Sequence, residues 1–387
     1  MWLFGGGTTL PATAGDVVAS YEGKTAWSLH EGVLKLDGSA VSIFKMVATT
    51  AAGSNAMKRL RTLRHPCVLS FVDGVEGDDI FMVTERVTPL SDWIADNAPN
   101  EQGGPADAAH FEAAVAWGLR RVAQGLAFLG TDCKLVHGAL SLNAVFVAAN
   151  GDWKVGGLDL LSALEDGLPS ALVRNNVEAQ PRRYRAPEHA ARKWRKGGQP
   201  WALDAWSLGV LIDDVWQLAG RSAQPPKAVA TIVLRLKDEG RAGPPRRLNP
   251  KRVVTAPYLV RHPFVKCCVF LEEIALKSPE EIVRFLHDIF ADPATIAAFP
   301  PTACTEKVLP VLLEKLRAVL TSSGVDADPA AAAKTAGVAT AMLAPALRVG
   351  RLLPPERFQS EVLPHVVALF KCSNRGVRKQ LLQVRAH

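Results

Sequence analysis

The chain has 387 residues, 48% of them hydrophobic and 21% charged, with a net charge of +7. That length favours two or three domains, and that composition buries a real core and excludes a chain disordered throughout. No uninterrupted apolar run reaches the ~18–20 residues that a membrane-spanning helix needs, and Met1-Trp2-Leu3-Phe4-Gly5 lacks the basic region of a secretory signal. The six cysteines are scattered, with Cys267-Cys268 the one close pair and no spacing that suits zinc, so they read as reduced, buried thiols.

In chain order, residues 27–47 read as short strands. Val41, Ile43 and Lys45 alternate with Ser42, Phe44 and Met46 after the Asp37-Gly38 turn signal. A helix is expected near Ser54–Leu63, then strands at Leu69–Val75 and Ile80–Glu85. Residues 97–107 are rich in Asn, Gly and Pro and read as a loop. Phe111–Leu129 is an amphipathic helix with Val115, Leu119, Val122, Leu126 and Leu129 on one face. Short strands flank Asn150-Gly151, and helices resume near Asp204. Prolines punctuate residues 220–260. A new helix is expected at Glu280, after Pro279, and others at Glu306–Leu320, Ala330–Arg348, Pro355–Phe370 and Gly376–Val384. Lys307-Val308-Leu309-Pro310 recurs as Glu361-Val362-Leu363-Pro364, 54 residues later, each time before an apolar helix. That is the mark of stacked helical repeats.

Charge is uneven. Arg182, Arg183, Arg185, Arg192, Lys193, Arg195 and Lys196 stand against one acid, Glu188, and Arg246, Arg247, Lys251 and Arg252 form a second cluster. Such patches suit phosphate, nucleic acid or an acidic membrane face.

Three motifs follow one another in a fixed order. Leu135–Val147 has the frame of the protein-kinase catalytic loop, Tyr184-Arg185-Ala186-Pro187-Glu188 matches the A-P-E motif, and Asp204-Ala205-Trp206-Ser207-Leu208-Gly209 matches the D-x-W-S-x-G stretch. A small β-rich lobe before a larger helical one agrees with them. The fold class read from this is an α+β two-lobed protein-kinase-like fold followed by an α-solenoid (HEAT-like) segment. Its expected divisions are a kinase-like domain at 1–262, a helical linker at 263–300 and the start of HEAT-like repeats at 301–387.

The chemistry is missing position by position. Phosphoryl transfer depends on charges held in place. Ala139 replaces the catalytic aspartate, Ala144 the metal-binding asparagine and Gly157 the D-F-G aspartate. Phe44 replaces the lysine that pairs with phosphates, and Ala56 its glutamate partner. No glycine-rich phosphate loop precedes the strand. Asp159 lies two residues beyond the metal position and is the one displaced carboxylate in reach. Losing a single electrostatic contributor costs about 10²–10³ in rate, so these losses together point to a non-enzyme with no cofactor and no bound metal. The structural set survives: Glu188 to pair with Arg247, and His137 and Asp204 to brace the loop.

These residues, with Val83-Thr84-Glu85-Arg86-Val87-Thr88-Pro89-Leu90, Trp153-Lys154-Val155-Gly156-Gly157-Leu158-Asp159 and Phe270-Leu271-Glu272-Glu273-Ile274, resemble the Scy1-like (N-terminal kinase-like) pseudokinase family over nearly the whole chain. The resemblance implies a scaffold in Golgi and endosomal vesicle traffic, cytoplasmic or peripheral at those membranes, with coat and adaptor proteins such as COPI and clathrin adaptors as partners. Some members are implicated in nuclear export of tRNA. The chain stops at His387 inside what reads as the second or third repeat, short of the family's longer solenoid and charged tail, and so reads either as a fragment or as a member without that half, the expectation of coat binding through a tail motif resting on which of the two it is. Two alternatives stay open: a residual ATP-binding kinase or ATP-dependent switch, resting on the retained frame and Asp159, and a tRNA-binding adaptor, resting on Arg182–Lys196 with Trp194 inside it.

Overall fold

A computed structural model describes residues 10–99, 104–194, 196–220, 225–239, 246–322 and 329–370. The expectations placed on Met1–Phe4, Arg195 and Gly376–Val384 lie outside them. The chain divides into two units, one of residues 1–108 and 115–260, the other of 109–114 and 261–387.

The first unit opens with strands β1 (Ala12–Val17), β2 (Ser28–Leu34), β3 (Ala40–Met46), β4 (Phe71–Glu76) and β5 (Ile80–Glu85), paired antiparallel in the order β1-β2-β3-β5-β4. The alternating pattern of β3 suggests one wet face, but Val41 to Met46 are all buried. One face packs Val41 and Ile43 with Leu10, Ala12, Phe81 and Val83. Helix α1 (Ala51–Thr62), inserted between β3 and β4, buries Met57 and Leu60 and packs on β4 and β5. It starts three residues before the expected Ser54. Thr50 caps it, its hydroxyl accepting the Gly53 N–H at 3.0 Å.

Beyond the linker strand β6 (Val87–Pro89) and helix α2 (Leu90–Asn97), the fold becomes helical. Helix α3 spans Pro105–Ala127 and begins inside the stretch expected to be loop, because Pro105 suits the first helical position. Helix α4 (Ala202–Leu218) is buried on nearly every side, as an apolar helix at the centre of a core must be. Short strands β7 (Leu135–Val136), β8 (Val145–Ala148), β9 (Trp153–Val155) and β10 (Ser162–Ala163) form two small sheets, β6-β8-β9 and β10-β7. They carry the loops that matter below. Helix α5 (Lys227–Leu236) packs against α4.

The second unit is helical. Helices α6 (Pro263–Glu272) and α7 (Pro279–Phe290) come first, the latter opened by a capping box. In it the Glu281 N–H donates to Ser278 Oγ at 3.2 Å and the Ser278 N–H to Glu281 Oε2 at 2.8 Å. The 54-residue repeat has a structural counterpart. Each copy starts with a proline at the first helical position, Pro301 or Pro355. Each then widens into a π turn, Cys304–Val308 or Phe358–Val362, and continues as α8 (Leu309–Ser322) or α10 (Leu363–Phe370). Pro310 and Pro364 have no N–H for the carbonyl four residues back, and the widened turn takes up that gap. Arg357 in the second copy reaches Glu306 in the first at 2.6 Å and its own Glu361 at 2.6 Å. Helix α9 (Pro329–Gly350) packs on α7 and α8, and α8 on α10. Helix pairs stacked in this way are the architecture of an α-solenoid.

Candidate functional site

The cleft of a kinase fold lies under β1 to β3, and here side chains of the chain itself fill it. Phe44 is buried on β3 and meets Phe146 of β8 edge-on at 5.2 Å between ring centroids. Tyr21 meets Phe44 at 6.3 Å and Phe146 at 5.7 Å. It comes from a short 3₁₀ turn, Ala19–Tyr21, on the β1–β2 connection, where a nucleotide-binding kinase carries its glycine loop. Its hydroxyl donates to the Asn143 carbonyl at 3.0 Å, and burial holds its phenol well above the usual range. The space left among Tyr21, Trp27, Phe44, Leu69, Met82 and Phe146 is about that of one water molecule, too little for a nucleobase with these side chains in place. A wider recess of about 390 Å³, open to solvent and lined by Lys24, Thr50, Ser141, Asn143 and Asn176 among others, lies beyond Tyr21 and Trp27.

The residues in the metal positions are equally committed. Gly157 sits in the left-handed region at φ 64°, and a Cβ there would stand 2.8 Å from that of Ala144. The two degenerate positions are thus in contact, and neither leaves room for a carboxylate at Gly157. Asp159 accepts the indole N–H of Trp27 at 2.7 Å, and burial raises its carboxyl above the ordinary value. No group of three or more His, Cys, Asp or Glu side chains suited to a metal occurs among the described residues. Lys45 turns away from the cleft, 3.2 Å from Asp79 and over the Phe81 ring at 5.4 Å. Asn143 reaches back to the Lys24 carbonyl at 3.4 Å.

Where a kinase ties α1 to β3 by an ion pair, this chain has neither partner, and α1 is instead tied to the segment after Gly157 by hydrogen bonds. Ala56 is buried, but its neighbour Asn55 donates through Nδ2 to the carbonyls of Leu158, Asp159 and Leu161 at 3.3, 3.0 and 3.2 Å. Arg59, one turn on and so on the same face, donates to Leu161 at 3.1 Å. Ser42 adds a second lock. Its hydroxyl accepts the Val87 N–H at 3.0 Å and donates to the Val87 carbonyl at 3.3 Å, so both groups of that linker residue are engaged.

The structural set forms a scaffold around Ala139. Asp204 accepts the backbone N–H groups of His137 and Gly138 at 2.8 and 2.9 Å, and complete burial pushes its carboxyl up to about 7. The His137 ring lies 2.8 Å from the Gly156 carbonyl through Nε2, while Nδ1 accepts the Ala139 N–H at 3.3 Å. That assigns a neutral ring with its proton on Nε2, and burial pushes its pKa down to about 4. Glu188 and Arg247 form a two-pronged pair at 2.5 and 2.8 Å, and Arg247 also donates to the carbonyls of Ala202 and Asp238 at 3.0 Å each.

Tyr21, Trp27, Asn55 and Ser42 were not singled out from the sequence. Tyr21 and Trp27 stand in place of a motif, and a missing glycine loop does not say what fills its space. Asn55 and Arg59 had a legible signal, their four-residue spacing beside the degenerate Ala56. The basic stretch is partly neutralised: Arg183 pairs with Asp214 at 2.6 Å, and Arg185 and Arg192 with Glu178 at 2.7 and 3.6 Å. Trp194 donates to His189 at 3.2 Å and packs edge-on to it at 5.8 Å.

No family model matches the chain. It is 32% identical, over 391 aligned residues, to the probable inactive serine/threonine-protein kinase scy1 of Dictyostelium discoideum, an alignment covering 98% of this chain and 44% of that protein. It is 27% identical to the mouse protein-associating with the carboxyl-terminal domain of ezrin, over 89% of this chain and 44% of that one. A crystal structure of Cex1p superposes on 97% of this chain and 65% of its own with a TM-score of 0.65, and its 20% identity speaks for the fold alone. The chain spans about half the length of these curated relatives, 44% of each. With a kinase frame kept, its phosphate-handling residues replaced and this likeness running from end to end, the chain belongs to the Scy1-like (N-terminal kinase-like) pseudokinase family.

Proposed function

We propose that the chain is a catalytically inactive scaffold that serves as an adaptor in intracellular vesicle traffic, cytoplasmic and peripheral at Golgi or endosomal membranes. One observation carries the reading: the cleft is occupied by Tyr21, Phe44 and Phe146, while a second unit of stacked helices offers extended surface for protein partners. The mouse relative's name records association with another protein, which fits a binding role. The tRNA-export alternative rests on Arg182–Lys196, where three arginines are already paired with acids and Trp194 is engaged by His189.

The test is retention of purified coat and adaptor complexes, COPI and clathrin adaptors among them, on the immobilised chain. Saturable retention of at least one complex is expected. Retention of none would overturn the adaptor reading and leave the inactive fold untouched.

A further inference from the structure

Two basic clusters, far apart in sequence, meet at the Glu188–Arg247 ion pair. On the Glu188 side stand Arg192, Lys193 and Lys196, with the Lys193 N–H donating to the Glu188 carbonyl at 2.8 Å. On the Arg247 side stand Arg246, Lys251 and Arg252, and all six cationic side chains are exposed. The last turn of α5 joins them, because the Leu248 N–H donates to the Arg235 carbonyl at 3.0 Å. Arg235 is exposed too, and its neighbour Leu234 is 76% exposed. Few acids stand nearby, the exposed Glu239 and its neighbour Asp238 among them. Glu188 holds Arg247, Glu178 holds Arg185 and Arg192, and Asp238 accepts the Arg246 backbone N–H at 2.6 Å. Among the described residues Lys193, Lys196, Arg235, Arg246, Lys251 and Arg252 carry their charge outward with no acid paired to it.

We propose that this face docks on an anionic phospholipid surface, which deepens the membrane-traffic reading on which it rests. Clustered lysines and arginines are drawn to acidic headgroups, and an exposed leucine among them can enter the boundary between headgroup and acyl chain. Single-stranded nucleic acid would need an aromatic platform, and the one tryptophan in the stretch is tied to His189.

The test uses the full chain with sedimenting vesicles of phosphatidylcholine alone or mixed with phosphatidylserine, and no coat or adaptor component. Binding is expected to the mixed vesicles only, and to fall as salt screens the charges. Lys193→Gln, Lys196→Gln and Lys251→Gln should each weaken it about fivefold, multiplying in the triple variant. Lys58→Gln, on the small lobe, should leave it unchanged. All four side chains are exposed, so unaltered melting is the check that loss of binding is not loss of fold. Equal binding to neutral vesicles, no binding to anionic ones, or full binding by the triple variant would overturn the proposal. So would tRNA that displaces the vesicles through these same lysines, which would reassign the face to nucleic acid. Because coat proteins are absent, failure here leaves the adaptor reading standing, and failure of coat retention leaves this one standing.

Discussion

At the scale of single residues, the side chains that stand where a kinase keeps its phosphate-handling groups are held by their neighbours. Gly157 is the sharpest case, since its φ of 64° and the Ala144 Cβ at 2.8 Å both oppose a side chain. Gly157→Asp, which restores the metal ligand in name, is expected to destabilise the protein by about 2–4 kcal/mol, through left-handed strain and overpacking. Denaturant melts would measure this, and magnesium should bring no recovery. His137 and Asp204 make a second prediction. The folded state keeps a proton on Asp204 up to about pH 7, where the unfolded carboxyl loses it near 3.8, so this group lowers stability as pH rises across that range. The unfolded chain protonates His137 below 6.5 but the folded one only near 4, so that group raises stability as pH rises between them. The two slopes oppose each other. Asp204→Asn should therefore leave stability that climbs from about pH 4 to 6.5, and His137→Gln stability that declines from about pH 4 to 7, read from melting midpoints at stepped pH. Parallel profiles for the two variants would refute the assignment.

At the scale of elements, the ion pair by which a kinase ties α1 to β3 is replaced by a tie between α1 and the 157–161 segment. A Lys–Glu pair can break and reform as charges and ligands come and go. The Asn55 amide, spread over three carbonyls, has no charge to titrate and no ligand to answer to. Asn55→Asp would set a carboxylate against those carbonyls. The expected cost is about 2–3 kcal/mol, with faster hydrogen exchange at the amides of residues 157–161. Unchanged exchange there would mean that packing alone holds the helix in place. In the second unit the same principle of local repair appears at Pro310 and Pro364. Each removes a ladder hydrogen bond, and each is preceded by a π turn that absorbs the loss.

At the scale of the whole molecule, the kinase frame persists because its stability and its former chemistry used different residues. Asp204, His137, Glu188 and Arg247 hold backbone and helices together, whereas positions 44, 56, 139, 144 and 157 line the cleft. With Tyr21 and Phe44 in the cleft, ATP at millimolar concentration should give no rise in melting temperature, with or without Mg²⁺ or Mn²⁺, since a ligand that bound the native state would raise it. A reproducible rise would return the ATP-switch alternative.

The amino-acid sequence by itself determined the kinase frame and the 54-residue helical repeat, and it predicts a cleft without base, metal ligands or phosphate lysine. Each of these is written in residue type at fixed spacing, and spacing is what a linear chain records. Only the tertiary structure decided what replaced the chemistry. Tyr21 reaching Phe146, Trp27 bonding Asp159 and Asn55 capping three carbonyls are all contacts across long stretches of chain. Such contacts depend on which surfaces fold against one another, and no local periodicity encodes them. A lost motif left a space, and packing density required that something fill it.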